Sequence, residues 1–135
     1  MIYPLFIFKA DDGTFDGYFP DVDGCFFAGD TLEMAVKNAE AAFGQHMEVL
    51  VEHGGYVPAP NDPSVYLGDE RLVEDGGFLA MVDIDPSRYD TKAVKFNLTM
   101  PGNLITAMDR YIESHGMKNR SAFLADLARR EISRV

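Results

Sequence analysis

A short row of polar residues near the C-terminus is the first candidate for chemistry in this sequence. The stretch from Ala93 to Pro101 alternates strictly between apolar and polar residues, as a strand with one buried face does. The apolar side would carry Val94, Phe96 and Leu98, and the polar side would carry Lys95, Asn97 and Thr99. Side chains of these polar types can hydrogen-bond to the edges of DNA bases. The simpler interpretation is an edge hairpin whose polar face is solvated.

The charges of the sequence divide it into two parts. Residues 1–90 hold four Lys and Arg against 18 Asp and Glu, a net charge of −14. Residues 91–135 hold eight Lys and Arg against four Asp and Glu, a net charge of +4. A basic segment can bind nucleic acid, whereas an acidic one repels it and suits a basic protein. We therefore expect two domains with different partners, residues 1–90 and residues 91–135.

The composition favours a globular protein of the cytoplasm. Apolar residues make up 47% of the chain, which is typical of a packed core. The single Cys25 cannot form an intrachain disulfide, fits a reducing compartment and is expected to be a small buried side chain. No run approaches the roughly 18 apolar residues of a membrane helix. We expect no membrane association, no metal and no cofactor.

The first domain begins with the pattern of an antiparallel meander. Turn signals at Asp11-Asp12-Gly13 and Pro20–Gly24 separate three runs rich in aromatic residues. The predicted strands are residues 3–9, residues 14–19 and residues 25–28.

A long amphipathic helix is predicted next. Asp30 is the expected N-cap, with Glu33 completing a capping box, and Gly54-Gly55 ends the helix. Residues 56–77 read as a loop with a short strand at residues 64–67. The apolar run of residues 78–84 predicts a central strand buried on both faces.

The second domain has the pattern strand, helix, helix. Pro101 begins a helix that runs to about Ser114, Gly116 follows its end, and Asn119 caps a last helix. A segment of about 43 residues without disulfide or metal is too small to fold alone, so we expect it to associate.

Residues 93–134 resemble the ribbon-helix-helix family of bacterial DNA-binding proteins. The match lies in the alternating strand, in Pro101, in Gly116 and in the helix start at residues 119–123. The resemblance implies that two chains pair their strands into a ribbon that enters the major groove of operator DNA.

The same resemblance implies a set of DNA-binding residues. On the strand, Lys95 suits guanine acceptors, Asn97 suits adenine, and Thr99 can bond to a base or touch a thymine methyl group. The N-terminus of the second helix would hold a phosphate through backbone amides, with contributions from Asn119, Arg120 and Ser121.

Residues 3–55 resemble the HicB antitoxins. The match is carried by three residue pairs and two seven-residue segments: Tyr3-Pro4, Asp12-Gly13, Asn38-Ala39, Phe19-Pro20-Asp21-Val22-Asp23-Gly24-Cys25, and Gly29-Asp30-Thr31-Leu32-Glu33-Met34-Ala35. The two resemblances imply an α+β protein. Its N-terminal part would be an antiparallel sheet with one long helix, a partial RNase H-like HicB fold, and its C-terminal part a ribbon-helix-helix domain.

The implied function is that of an antitoxin in a type II toxin-antitoxin system, without enzyme activity. Such a protein would bind and neutralise a HicA-type RNA-cleaving toxin and repress its own operon by binding operator DNA. It would form a homodimer through the C-terminal domain, or a higher oligomer.

Two other hypotheses remain open from the sequence. One is a ribbon-helix-helix transcription regulator whose first domain senses a small ligand. The other is a metal-dependent RNase H-like nuclease with clustered carboxylates. Its candidate ligands are Asp11, Asp12, Asp21, Asp23 and Asp30. Most of these lie in predicted turns, where Asp is common for backbone reasons.

Overall fold

Four antiparallel strands form the sheet of the N-terminal part. The computed structural model describes residues 1–134. Residues 1–90, here called the body, form one compact unit, and a second unit, here called the tail, begins at Thr91. The body strands are β1 (Ile2–Lys9), β2 (Phe15–Tyr18), β3 (Phe26–Gly29) and β4 (Phe78–Asp83), in the order β3-β2-β1-β4. The predicted meander is confirmed.

The inner strands of the sheet are β2 and β1, so the prediction of a buried central strand at residues 78–84 is wrong. β4 pairs with β1 alone and lies at an edge, where Phe78 and Met81 are 39% and 54% exposed. β1 pairs on both sides and tolerates Pro4, because its pairing with β2 begins only at Phe6. The missing N–H of the proline is therefore not needed for a ladder bond to β2.

Helix α1 (Leu32–Glu52) covers one face of the sheet. It buries Ala35, Ala39, Phe43 and Met47 against the strands. The ring of Phe43 packs edge-on against Tyr3, with centroids 4.8 Å apart, and lies 5.4 Å from Phe19. These fully buried rings form the centre of the main core.

The N-cap of α1 is Thr31 and not Asp30, which corrects the predicted cap. Thr31 has the extended backbone of an N-cap residue, and its hydroxyl accepts the N–H of Met34 at 3.1 Å. Glu33 is consequently the second helical residue, one position short of the third position that a capping box requires.

Residues 61–77, here called the covering segment, lie over part of the opposite face of the sheet. They contain a 3₁₀-helix (Pro63–Tyr66) and the short helix α2 (Glu70–Glu74), so the predicted strand at residues 64–67 is wrong. Tyr66 and Leu72 pack on Phe6 from β1 and form a second, smaller core. A second 3₁₀-helix (Pro86–Tyr89) closes the body and places Tyr89 5.6 Å from Phe43.

The tail contains the two predicted helices, α3 (Gly102–Ser114) and α4 (Arg120–Ser133). Gly116 adopts a φ of +63° just after α3, a conformation that glycine takes without strain. Met108 is buried, and the rings of Tyr111 and Phe123 join the two helices at 5.5 Å. Residues 91–100 form no strand in the single chain. A β-ladder needs a partner strand, so the paired ribbon remains a prediction.

Candidate nucleic-acid and protein interfaces

The predicted base-reading residues lie together in the irregular segment before α3. Lys95, Asn97 and Thr99 are all exposed. The alternate apolar residues of the same segment are exposed as well, at 84% for Val94 and 78% for Phe96. In a single chain neither side of the alternating pattern is covered, which is unfavourable for so many apolar side chains.

The other three predicted DNA-binding residues lie at the N-terminus of α4. Asn119 is the N-cap, and its side-chain oxygen accepts the N–H of Ala122 at 2.8 Å. Asn119 therefore orders the first turn of the helix, where backbone amides point outward. Arg120 and Ser121 follow it and are exposed.

Arg120 forms a fork-shaped ion pair that the sequence did not predict. Its Nε donates to Asp109 Oδ1 at 2.9 Å, and its Nη2 donates to Asp109 Oδ2 at 2.8 Å. These hydrogen bonds hold the pKa of the Asp109 carboxyl below its ordinary value. The two residues are 11 positions apart, on either side of a turn, so no local spacing rule connects them. The pair links α3 to α4 and orients the guanidinium beside the α4 N-terminus.

One of the candidate metal-binding carboxylates of the body holds its own turn instead. Asp12 accepts hydrogen bonds from the N–H and the hydroxyl of Thr14, at 2.9 and 2.6 Å, which lowers the pKa of Asp12. Within residues 1–134 there is no group of three or more His, Cys, Asp or Glu side chains placed to hold a metal ion. The geometry therefore gives no support to the nuclease hypothesis.

Asp21 is the centre of a polar network on the second face of the sheet. It accepts a hydrogen bond from the Tyr66 hydroxyl and two from Asn61, from the side-chain amide at 2.6 Å and the backbone N–H at 3.2 Å. Burial is the main cause that raises the pKa of Tyr66 to about 12, and the bond to Asp21 adds to it. The network ties the covering segment to the turn after β2.

The single thiol of the body is buried. Burial raises the pKa of the Cys25 thiol to about 11, so the thiol stays protonated and weakly reactive near neutral pH.

The edge strand β3 carries an exposed aromatic ring. Phe26 is 69% exposed there, within a unit that carries a charge of −14. In residues 1–134 no helix has the length and apolar character needed to cross a membrane.

Comparison with known proteins decides the family. A family model described as the HicB_like antitoxin of bacterial toxin-antitoxin systems matches residues 3–128. The chain belongs to this family. A relative from Haemophilus phage HP1 (strain HP1c1), an uncharacterized 14.9 kDa protein of the rep-hol intergenic region, is 38% identical over 95% of both chains.

Solved structures of the family resemble this chain over most of its length. The crystal structure of antitoxin HicB3 is 59% identical, covers 96% of each chain and superposes with a TM-score of 0.79. A chain in the HicA3 and HicB3 toxin-antitoxin complex is 57% identical. It covers 64% of the present chain and 100% of its own length, with a TM-score of 0.59. The predicted HicB resemblance and the α+β fold with its antiparallel sheet are thereby confirmed.

Proposed function

We propose that the body binds and neutralises a HicA-type toxin and that the tail binds operator DNA to repress the operon. The observation that carries this proposal is the division of charge between two compact units, −14 in residues 1–90 and +4 in residues 91–135. The unequal charges suit a basic protein at one unit and DNA at the other. A structure of HicA3 with HicB3, whose matched chain is 57% identical to this one, supports the toxin as the body's partner.

Neutralisation tests the role of the body. We expect the full chain to co-purify with the small toxin encoded beside it and to relieve the growth arrest that the toxin causes. Acidic side chains would mainly speed association and select the partner, while buried apolar contacts hold the complex. A variant that lacks residues 1–90 should lose neutralisation. If it still neutralises, the body is not the toxin-binding unit. If the body instead binds a metabolite, the ligand-sensing regulator becomes the better hypothesis.

The tail would act as a dimer. Val94, Phe96 and Leu98 are 84%, 78% and 58% exposed in the single chain, and pairing with a second copy would cover them. Pairing would also leave the alternate row of Lys95, Asn97 and Thr99 on the outer face of a two-stranded ribbon. Sedimentation velocity of the full chain should show a dimer or a higher oligomer. The Phe96→Ser variant should dissociate at higher concentration than the unchanged chain.

Base reading by the strand can be separated from a general effect on the tail. Asn97→Ala should cost about 1–3 kcal/mol of operator binding and relax the sequence preference. Asn103→Ala is the matched control, because Asn103 is also an exposed Asn but lies in the first turn of α3. Operator affinity is measured by fluorescence anisotropy. Equal losses in the two variants would remove the base-reading role of Asn97.

The ion pair of Arg120 provides a sharper test of phosphate binding. Arg120→Ala should weaken binding to all sequences alike and reduce the salt slope by about one unit. Asp109→Asn breaks the same ion pair but keeps the cation, so it should leave affinity unchanged or raise it. If both variants bind DNA equally weakly, Arg120 acts by linking α3 to α4 and not by contacting phosphate.

A further inference from the structure

The edge strand β3 presents a large aromatic side chain that the fold leaves mostly exposed. Phe26 is 69% exposed, and its ring packs edge-on against Tyr18 of β2, with centroids 6.0 Å apart. This contact fixes one edge of the Phe26 ring and leaves most of it open to solvent. A rigid exposed ring loses little conformational entropy when a partner covers it, which favours its use as an anchor in binding.

The backbone edge of β3 is partly blocked. Phe19 N–H donates to Cys25 O at 3.1 Å. The alternating pattern of an antiparallel ladder therefore directs the backbone N–H and C=O groups of Cys25, Phe27 and Gly29 toward β2. The backbone groups of the residues between them point outward, away from the sheet. One outward carbonyl, that of Ala28, already accepts the side-chain amide of Asn38 at 2.8 Å. A long added strand would have to displace Asn38. A partner is therefore expected to dock on β3 through side chains.

An acidic cavity lies beside this strand. It has a volume of about 600 Å³, is open to solvent and is lined by Ala28 and Gly29 of β3 together with residues of β2 and the start of α1. Two carboxylates, Asp16 and Asp30, belong to its lining. Asp30 is available because Thr31 caps α1 in its place. The lining residues that the structure describes include no Lys or Arg to neutralise these carboxylates.

We propose that Phe26, Asp16 and Asp30 form the docking surface for a basic protein, the toxin of the proposed function. Phe26 is the apolar anchor, and the cavity receives a Lys or Arg side chain between the two carboxylates. This assignment rests on the proposed antitoxin role and adds the surface through which it operates. Apolar anchors beside complementary charges are the usual arrangement of binding hot spots.

Binding of the purified HicA-type toxin to the full-length antitoxin tests the surface. Phe26→Ala should raise the dissociation constant by about 30-fold or more, which is the range of a hot-spot residue. Asp16→Lys should raise the dissociation constant about tenfold, mainly through slower association, and binding should depend less on salt. The matched controls are Met81→Ala, an exposed apolar residue of the other edge strand, and Asp75→Lys, an exposed acid outside the cavity. Both controls should bind within about twofold of the unchanged chain.

The outcomes distinguish an error in the docking surface from an error in the proposed function. If the unchanged chain does not bind the toxin, the proposed function itself fails. If it binds, and both Phe26→Ala and Asp16→Lys bind equally well, only the docking surface is wrong. An effect of Asp75→Lys equal to that of Asp16→Lys would show general charge attraction and overturn the cavity assignment. A fall in the mass of the antitoxin alone in Phe26→Ala would instead assign Phe26 to contacts between copies of this chain. Equal thermal midpoints of the variants exclude misfolding as the cause.

Discussion

The Asp21 network allows a quantitative test of how the body holds its covering segment. Tyr66 is 9% exposed, packs edge-on against Phe6 at 5.3 Å and donates its hydroxyl proton to Asp21. Tyr66→Phe removes this hydroxyl and keeps the ring contact. Asp21 retains both hydrogen bonds from Asn61, so the change leaves no buried group without a partner.

The expected cost follows from the kind of bond that is lost. A hydrogen bond to a charged group contributes about 1.5–3 kcal/mol, so Tyr66→Phe should lower the free energy of unfolding by about 2 kcal/mol. Asp21→Ala should cost about 3 kcal/mol, because it removes the acceptor of the Tyr66 hydroxyl and of the Asn61 backbone N–H and leaves the Asn61 side-chain amide only the Tyr66 oxygen, at 3.2 Å. Adding Tyr66→Phe to Asp21→Ala should then cost about 1 kcal/mol, because it removes only that last neutral hydrogen bond. The coupling energy of the double-mutant cycle should be about 1 kcal/mol.

Urea unfolding of the full chain at fixed protein concentration, followed by tyrosine fluorescence and circular dichroism, measures these differences. The pH dependence gives an independent check. The folded pKa of Tyr66, about 12, lies above its ordinary value of about 10. The stability that favours protonated Tyr66, mainly through its burial and also through the bond to Asp21, is therefore complete below pH 10 and is lost as the pH rises through 12. Tyr66→Phe should lack this part of the alkaline loss. A coupling energy near zero, with the same alkaline loss in both proteins, would refute the network.

Three further changes test the packing of the body by urea unfolding. Phe43→Ala should lower the free energy of unfolding by about 3–5 kcal/mol because the ring is fully buried, whereas Phe43→Leu should lower it by less than about 2 kcal/mol. A small loss of stability in the Ala variant would contradict the core assignment. Gly17→Val should prevent folding, since a methyl carbon at Gly17 would lie 2.1 Å from the Phe6 carbonyl oxygen; a folded variant would show that β2 can move. Thr31→Ala should lower the free energy of unfolding by about 1 kcal/mol, and Asp30→Ala should leave it almost unchanged. The reverse order of the two losses would show that Asp30 is the N-cap.

The elements that the sequence predicted correctly are those with local signals. The first three strands are separated by Asp, Pro and Gly turn residues, and α1 carries apolar residues at helical spacing. In the tail, Gly116 and the N-cap Asn119 mark the boundary between α3 and α4 in the sequence itself. Each signal acts through backbone conformation or a hydrogen bond within a few residues, so it does not depend on the rest of the fold.

The errors arose where the deciding contact was distant or where two neighbours competed. The apolar run of β4 does not reveal whether it has one partner or two, because segments above each face can half-bury an edge strand. Asp30 and Thr31 are both good N-caps, and only the backbone geometry after β3 selects Thr31. The pairing of Arg120 with Asp109 likewise depends on how α3 and α4 pack.

A five-residue motif occurs twice, once in the predicted loop of residues 56–77 and once in the segment after β4. The pattern Asp-Pro-Ser-X-Tyr occurs at residues 62–66 and again at residues 85–89. In each copy the Asp carboxylate accepts the Ser N–H, at 2.9 and 3.0 Å, and the Pro begins a one-turn 3₁₀-helix. Pro pre-sets the backbone angle and Asp caps the turn, so the structure of each copy is encoded locally.

The two copies place a tyrosine ring on opposite faces of the same sheet. Tyr66 packs on Phe6 in the smaller core, whereas Tyr89 packs on Phe43 in the core beneath α1. The second ring also explains Gly44 within α1, where glycine costs about 1 kcal/mol relative to alanine. A methyl carbon at Gly44 would lie 3.2 Å from the Tyr89 ring, closer than ordinary van der Waals contact. Each face of the sheet is thus covered in part by a tyrosine from the same short motif. On the α1 side, the ring fits because α1 has a glycine at position 44, although glycine is a poor helix former.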